Sequence, residues 1–415
     1  MALFEELQWR GLVHDHTDPV LPQRLDAGGL TAYIGFDPSA DSLHIGHLLQ
    51  VCNLRRLQEA GHRVIALAGG ATGMIGDPGG KSEERNLLPP AVLAANLAGI
   101  RSQLAALLPG ATFEDNADWL RGMGVLEFLR DVGKHFTVNQ MVAKESVRTR
   151  FEGRDQGISF TEFSYMLLQA YDFLHLHDTH GCNLQLGASD QWGNITLGIE
   201  LIRKVRGATV FGLTTPLVLK ADGTKFGKSE AGTVWLDPAR TSPYHFFQFL
   251  VRSEDAVVGS YLRYFTWLPR ERIEELEAAV ADNPERREAQ RVLAWEVTAL
   301  VHSSEEADRA RHAASVLFSE KIAELDERTL LDVFADAPSS ELPRQPVPLI
   351  EALVASGLAS SNSDARRQVQ AGGVYLNNRR QTDAEAHIDP ATATLHGAYA
   401  VLRRGKTHYH LLRFA

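Results

Sequence analysis

Cysteine is scarce: Cys52 and Cys182 are the only two in 415 residues. Two cysteines make no disulfide framework, and their scarcity fits a reducing, cytoplasmic setting. Long apolar runs are absent too, so no membrane span is expected. The opening Met-Ala-Leu-Phe-Glu-Glu-Leu is acidic and lacks a basic segment leading into an apolar core, which speaks against a secretory signal. Nor is there an excess of positive charge. A net charge of −10 argues against nucleic-acid binding driven by bulk charge. The deficit is uneven, because residues from Gln345 onward carry +3 and the preceding part −13. A polyanion would therefore be held by local patches, such as Arg366-Arg367, Arg379-Arg380 and Arg403-Arg404-Gly405-Lys406. What remains is ordinary globular composition, 44% hydrophobic and 23% charged, in a chain long enough for two or three domains.

The stretch from Thr31 to Ala68 reads as strand, helix and strand. Its first strand breaks at Asp37-Pro38, and Asp41 or Ser42 is the expected helix cap. Leu48, Val51, Leu54 and Leu57 mark the buried helix face, Gly61 closes it, and Arg63–Ala68 is a short apolar strand. His44 and His47, three apart, share one face of the first helical turn, where unpaired N–H groups favour anions. Gly46 between them leaves room for a ligand. Gly69 to Ser82 contains six glycines and suits a pocket wall at the carboxyl ends of parallel strands, with Asp77 as its charged group. Its G-x-x-x-G-K-S is one residue short of a Walker A loop. Asn116-Ala117-Asp118-Trp119 reads as a connecting loop. Lys225, Lys228 and Ser229 lie in a second glycine-bearing loop that suits a mobile clamp on phosphate charge.

Ser159 to Phe173 is a helix with Thr161 as its expected cap and Phe163, Met166, Leu167, Ala170 and Phe173 as its apolar face. Tyr165, Gln169 and Asp172 fall on another stripe of the same helix. Three polar groups on so apolar a helix suggest a polar pocket. His175, His177, His180 and Cys182 do not match structural zinc spacing, and no metal site is expected. Cys182–Gly187 is a strand running into Ser189-Asp190-Gln191-Trp192-Gly193-Asn194, polar groups that open the next helix. Val210–Leu219 is another strand, and Ser242 to Phe334 is helical. Pro338, Pro343, Pro346 and Pro348 mark a stiff linker before a small α/β module.

Phe-Asp-Pro-Ser-Ala-Asp-Ser-Leu-His-Ile-Gly-His at 36–47, Ala-Thr-Gly-Met-Ile-Gly-Asp-Pro at 71–78, Phe-Ser-Tyr-Met-Leu-Leu-Gln-Ala-Tyr-Asp at 163–172, Ser-Asp-Gln-Trp-Gly-Asn at 189–194 and Lys-Phe-Gly-Lys-Ser at 225–229 together resemble the bacterial tyrosyl-tRNA synthetases, a class I aminoacyl-tRNA synthetase family. The resemblance implies an α/β architecture: a Rossmann-like parallel-sheet catalytic domain (1–221), a mobile signature loop (222–232), a helical anticodon-binding domain (233–336), a Pro-rich linker (337–346) and a small RNA-binding domain (347–415). It implies activation of tyrosine by ATP and transfer to tRNA(Tyr), by a homodimer with no tightly bound cofactor, ATP entering as substrate with Mg2+. On this resemblance Gly35, Asp37, Ser39, His44, Gly46, His47, Asp190 and Lys228 meet ATP, and Lys225, Lys228 and Ser229 close over pyrophosphate. Asp77, Tyr165 and Gln169 hold the substrate ammonium, Gln191 its carboxyl end, and Tyr33 with Asp172 its phenolic hydroxyl. Lys81, Arg85, Lys144, Arg203 and Lys204 would meet tRNA. Ile34 stands where the family often has Cys, and Ala188 where it has Gly; both affect affinity only. Tryptophanyl enzymes share both signatures and remain the alternative, although an indole offers no hydroxyl to Tyr33 and Asp172.

Overall fold

A computed structural model describes residues 2–78, 88–144, 147–148, 157–229, 232–317, 319–335, 337–405 and 408–415, with the backbone alone at 228–229. The chain forms two compact units, one of residues 1–240 with 253–293, the other of 241–252 with 294–415. The helical stretch expected at 233–336 is thus divided between them.

The first unit is built on six strands: β1 (Asp15–His16), β2 (Thr31–Phe36), β3 (Arg63–Ala68), β4 (Thr112–Asp115), β5 (Leu184–Ala188) and β6 (Phe211–Thr215). Their order is β1-β6-β5-β2-β3-β4, parallel except for β1. β2, β5 and β6 are buried almost throughout, as strands covered on both faces must be. The chain lays β3 and β4 to one side of β2, then returns to lay β5 and β6 on the other. That reversal opens a crevice beyond the carboxyl ends of β2 and β5. Tyr33, Met166, Ala170, Phe173, Leu197 and Leu201 belong to the core that packs the Phe160–His180 and Trp192–Arg206 helices against this sheet. The strand expected over Val210–Leu219 ends at Thr215, because Pro216 cannot donate to a ladder.

In the second unit a five-stranded sheet runs Arg379–Gln381, Val374–Leu376, Tyr399–Arg404, His408–Phe414 and Ser339–Leu342. The last of these corrects the linker. Ser339–Leu342 lies inside the Pro-rich segment yet pairs in parallel with Leu411–Phe414, and Pro338 and Pro343 merely bracket it at an edge where a missing N–H is tolerated. Asn377 and Asn378, at φ +48° and +61°, turn the 374–381 hairpin, the left-handed pair a two-residue hairpin loop needs. A single apolar cluster joins Leu395, Val401 and Leu411 of this module to Tyr244, Val316, Ile322, Leu330 and Phe334 of the helices.

Candidate active site

A cavity of about 580 Å3 occupies the crevice at the switch point. Its walls come from the end of β2 (Tyr33, Ile34, Gly35, Asp37), the start of the Ile45–Glu59 helix (His44, Gly46, His47), Asp77, the polar stripe Tyr165, Gln169 and Asp172, the end of β5 with Asp190 and Gln191, and Lys225. Ser39 is exposed and outside this wall. Lys81 and Arg85 lie outside the described residues, as do the side chains of Lys228 and Ser229.

The cavity has an acidic, amide-rich end. The Asp172 carboxylate accepts from Asn116 Nδ2 at 2.9 Å and from Trp119 Nε1 at 2.8 Å, one bond to each oxygen. Each oxygen keeps a further lone pair for a ligand. Burial lifts its pKa to about 7, and those two donors limit the rise. Tyr33, wholly buried, has a hydroxyl with no hydrogen-bond partner among the described residues. Burial first and the charge of Asp172 second hold its pKa well above that of an ordinary phenol. An orphaned hydroxyl of this kind costs roughly 1–3 kcal/mol. Nearer the mouth, Tyr165 Oη donates to Asp37 Oδ2 at 3.0 Å, and Thr72 Oγ1 donates to Asp37 Oδ1 at 2.9 Å. Asp37 is therefore turned toward Tyr165 and Thr72. Gln191 Nε2 donates to Asp77 Oδ2 at 2.6 Å, and Gln169 Nε2 to Gln191 Oε1 at 3.2 Å. Burial, then Asp77, raises the pKa of Asp190, with Lys225 opposing.

Another part of the wall is the start of the Ile45–Glu59 helix. The helix begins at Ile45 rather than after Asp41 or Ser42, because His44 is its cap. Gly46 N–H donates to His44 Nδ1 at 3.0 Å, and His44 N–H to His47 Nδ1 at 3.3 Å. With both Nδ1 atoms accepting, each neutral ring carries its proton on Nε2. The rings stack at 3.8 Å. A Cβ at position 46 would come within 2.8 Å of His44 Cε1, so Gly46 makes room for the protein's own imidazole. Ser42 Oγ is spent on Leu43 O and Gln103 Nε2, and Asp41 pairs with Arg240. Likewise Ser159, not Thr161, caps the long helix, accepting from Glu162 N–H.

The remaining cations stand apart from the cavity wall. Lys144 Nζ donates to Thr196 Oγ1 at 2.8 Å, and burial lowers its pKa. Lys204 Nζ donates to His135 O at 2.6 Å, while exposed Arg203 forks onto Glu200 and helps hold that carboxyl down to about 2. Among the described residues no group of three or more His, Cys, Asp or Glu could hold a metal ion.

Asn116 and Trp119, expected in a connecting loop, instead reach into the site. The signal that the sequence hides is β4: four residues, Thr-Phe-Glu-Asp, with one apolar side chain. Once β4 is in the sheet, Asn116 and Trp119 stand at a strand's carboxyl end beside the crevice.

Comparison with known proteins then supplies independent findings. Residues 26–319 match the family model described as tRNA synthetases class I (W and Y). Residues 329–412 match the tyrosine–tRNA ligase SYY-like C-terminal domain. The tyrosine–tRNA ligase of Roseiflexus castenholzii is 53% identical over 99% of both chains. That of Geobacillus stearothermophilus is 52% identical over the whole of both. Among solved structures, the C-terminally truncated Aspergillus nidulans mitochondrial tyrosyl-tRNA synthetase superposes with a TM-score of 0.69 at 32% identity, covering 76% of this chain and 94% of that one.

Proposed function

The chain belongs to the tyrosine–tRNA ligases of the class I tRNA synthetases, and from that premise we propose how its cavity divides the work. Tyrosine enters with its phenol toward Tyr33 and Asp172. Its ammonium lies among Asp77, Tyr165 and Gln169, and its carboxylate near Gln191. The observation that carries this reading is the buried Tyr33 hydroxyl without a partner, set in the same wall as the carboxylate of Asp172. A phenolic O–H donating to Asp172 and accepting from Tyr33 satisfies both groups. Phenylalanine leaves the Tyr33 hydroxyl without a partner and Asp172 with only its two protein donors, a discrimination for which tyrosyl-tRNA synthetases are themselves the known example.

ATP takes the other end, its phosphates against His44 and His47, its ribose near Asp190, with Gly35, Ser39 and Gly46 along its path. The tyrosine carboxylate, already ionised at neutral pH, attacks the α-phosphorus; a C–O–P bond forms as the bond to pyrophosphate breaks. No general base is required. Alignment and positive potential are, and the Nε2–H groups of His44 and His47, the helix N-terminus and Lys225 supply them. Lys228 and Ser229 join from the signature loop. A tRNA ribose hydroxyl then attacks the acyl carbon, and AMP departs.

The carboxylates Asp37, Asp77 and Asp172 are each engaged by protein donors, which does not suit a resident divalent cation. Mg2+ would arrive on the triphosphate as part of the substrate. tRNA(Tyr) contacts fall to Lys81, Arg85, Lys144, Arg203 and Lys204; for Lys144 this requires leaving Thr196. A cytoplasmic place of action is supported by two buried free thiols, and no described helix is long and apolar enough to cross a membrane. A homodimer is supported by Val125, Leu126, Leu129, Val138 and Phe160, large apolar side chains left 50–78% exposed.

Pyrophosphate exchange measured with each of the twenty amino acids tests the reading. Exchange with tyrosine is expected; exchange with tryptophan in its place would overturn it.

A further inference from the structure

Resting on that reading, we propose that Tyr261, outside the cavity wall, is a positioning residue that sets Lys225 against the paired imidazoles. Residues 218–226 form a hairpin in which Leu219 stands directly opposite Lys225. Phe226 N–H donates to Val218 O at 3.0 Å, and Lys220 N–H to Thr224 O at 2.8 Å. Tyr261, 2% exposed in the Asp255–Phe265 helix, touches both legs. Its hydroxyl donates to Leu219 O at 2.7 Å, and its ring lies 4.5 Å from that of Phe226. One side chain thus grips the residue facing Lys225 and the residue following it.

The grip has a firm base. Arg56 donates to Thr266 O at 2.9 Å, just past the end of the Tyr261 helix. Arg10 adds bonds to Thr266 O at 2.9 Å and Leu268 O at 2.8 Å. Arg56 belongs to the Ile45–Glu59 helix, whose first turn carries the imidazoles. At that first turn the hairpin closes the circuit. A Cβ on Gly227 would lie 3.2 Å from Ile45 Cγ2, and one on Gly46 would lie 3.5 Å from Phe226 O. The Ile45–Glu59 helix, the Asp255–Phe265 helix and the hairpin therefore form a closed circuit of contacts. Removing the Tyr261 hydroxyl frees one leg of the hairpin while the ring stays against Phe226.

Single-turnover tyrosyl-adenylate formation in the full chain tests this. Tyr261→Phe keeps the ring and should slow the maximal rate about tenfold, with tyrosine affinity unchanged and the Tm within about 3 °C of the parent. Placed on Lys225→Ala, the same substitution should change the rate less than about twofold, because the group it positions is gone. An unchanged rate in Tyr261→Phe would overturn the proposal. So would the same tenfold loss on the Lys225→Ala background, or a loss confined to tyrosine affinity, since Tyr261 would then act through general stability or another part of the cavity.

Discussion

Burial lifts the Asp172 carboxyl to about 7 even though Asn116 and Trp119 both donate to it. An unfolded aspartate ionises near 3.9. Between about pH 4 and 7 the folded protein therefore holds a proton that the unfolded chain has lost, and stability without substrate falls as pH rises through that window. A phenolic O–H donating to the carboxylate favours its charged form. Tyrosine binding near pH 7 should consequently release a fraction of a proton, visible as a dependence of the calorimetric binding heat on buffer ionisation enthalpy; buffer-independent heats would remove Asp172 from the phenol site. Asp172→Ala should abolish tyrosine activation, a loss of at least about 2 kcal/mol in kcat/KM; near-normal kcat/KM would say otherwise. Asp172→Asn is no gentle control, because Asn116 and Trp119 donate to different carboxylate oxygens and the amide would set its NH2 against one of them. Tyr33→Phe behaves differently. It deletes a buried hydroxyl without a partner, so the Tm should hold or rise while tyrosine loses about tenfold in affinity and its margin over phenylalanine shrinks. A falling Tm would mean that the hydroxyl is satisfied in the free protein. Tyr165, Gln169 and Asp172 are legible in the sequence because helical spacing alone puts them on one stripe. Asn116 and Trp119 are not, since their importance depends on a short strand with no apolar pattern of its own.

Elements are most legible where local chemistry and packing agree. Strand, helix and strand over 31–68 follow directly from the apolar pattern. The helix starts do not, because Asp41, Ser42 and Thr161 are competent caps whose places His44 and Ser159 take. At 44 the cap has a second place, since the imidazole that accepts from Gly46 N–H is also part of the cavity wall. The Pro-rich linker misleads for another reason: proline composition reports stiffness, and an edge strand is stiff too. Buried His62 is an element-level tie. Its Nδ1 accepts from Leu30 N–H at 3.2 Å beside β2, and its Nε2 donates to Leu25 O at 3.0 Å in the Leu21–Ala27 helix. Burial lowers its pKa. The neutral ring is the native form, so its contribution is complete above the unfolded value near 6.5 and is lost as pH falls toward the lower folded value. Comparing His62→Gln with the parent, the difference in Tm should be largest at pH 7 and shrink by pH 5. A difference constant across that range would mean the ring does not titrate on unfolding.

For the whole molecule, the division into two units decides what can be removed. Every residue of the cavity wall lies in the first unit, so adenylate chemistry should survive changes in the second. Self-association should be separable as well: Phe160→Asp places a charge on a side chain that is 76% exposed, and sedimentation should report a shift from dimer to monomer, whereas an unchanged mass would exclude this patch as the contact. Deleting 346–415 is a harsher change than a linker at 337–346 would suggest. It strips Leu395, Val401 and Leu411 from the cluster that covers Tyr244, Val316, Ile322 and Phe334. It also removes Asn378, whose Nδ2 donates to Leu317 O at 2.6 Å and Ser319 O at 3.0 Å, and it leaves Ser339–Leu342 without its partner strand. Losing even one large core side chain costs about 2–5 kcal/mol, so the Ser304–Val316 and Glu327–Val333 helices should not stay folded by themselves. The truncated protein should therefore keep pyrophosphate exchange within about threefold, a change of only about 0.7 kcal/mol, and lose transfer to tRNA. Its helical circular dichroism should fall by more than the deleted helices Leu349–Ala355 and Asn362–Gln370 account for. A fall matching those two helices alone would mark the C-terminal module as detachable, and loss of exchange along with transfer would show that the first unit needs the second to form its cavity.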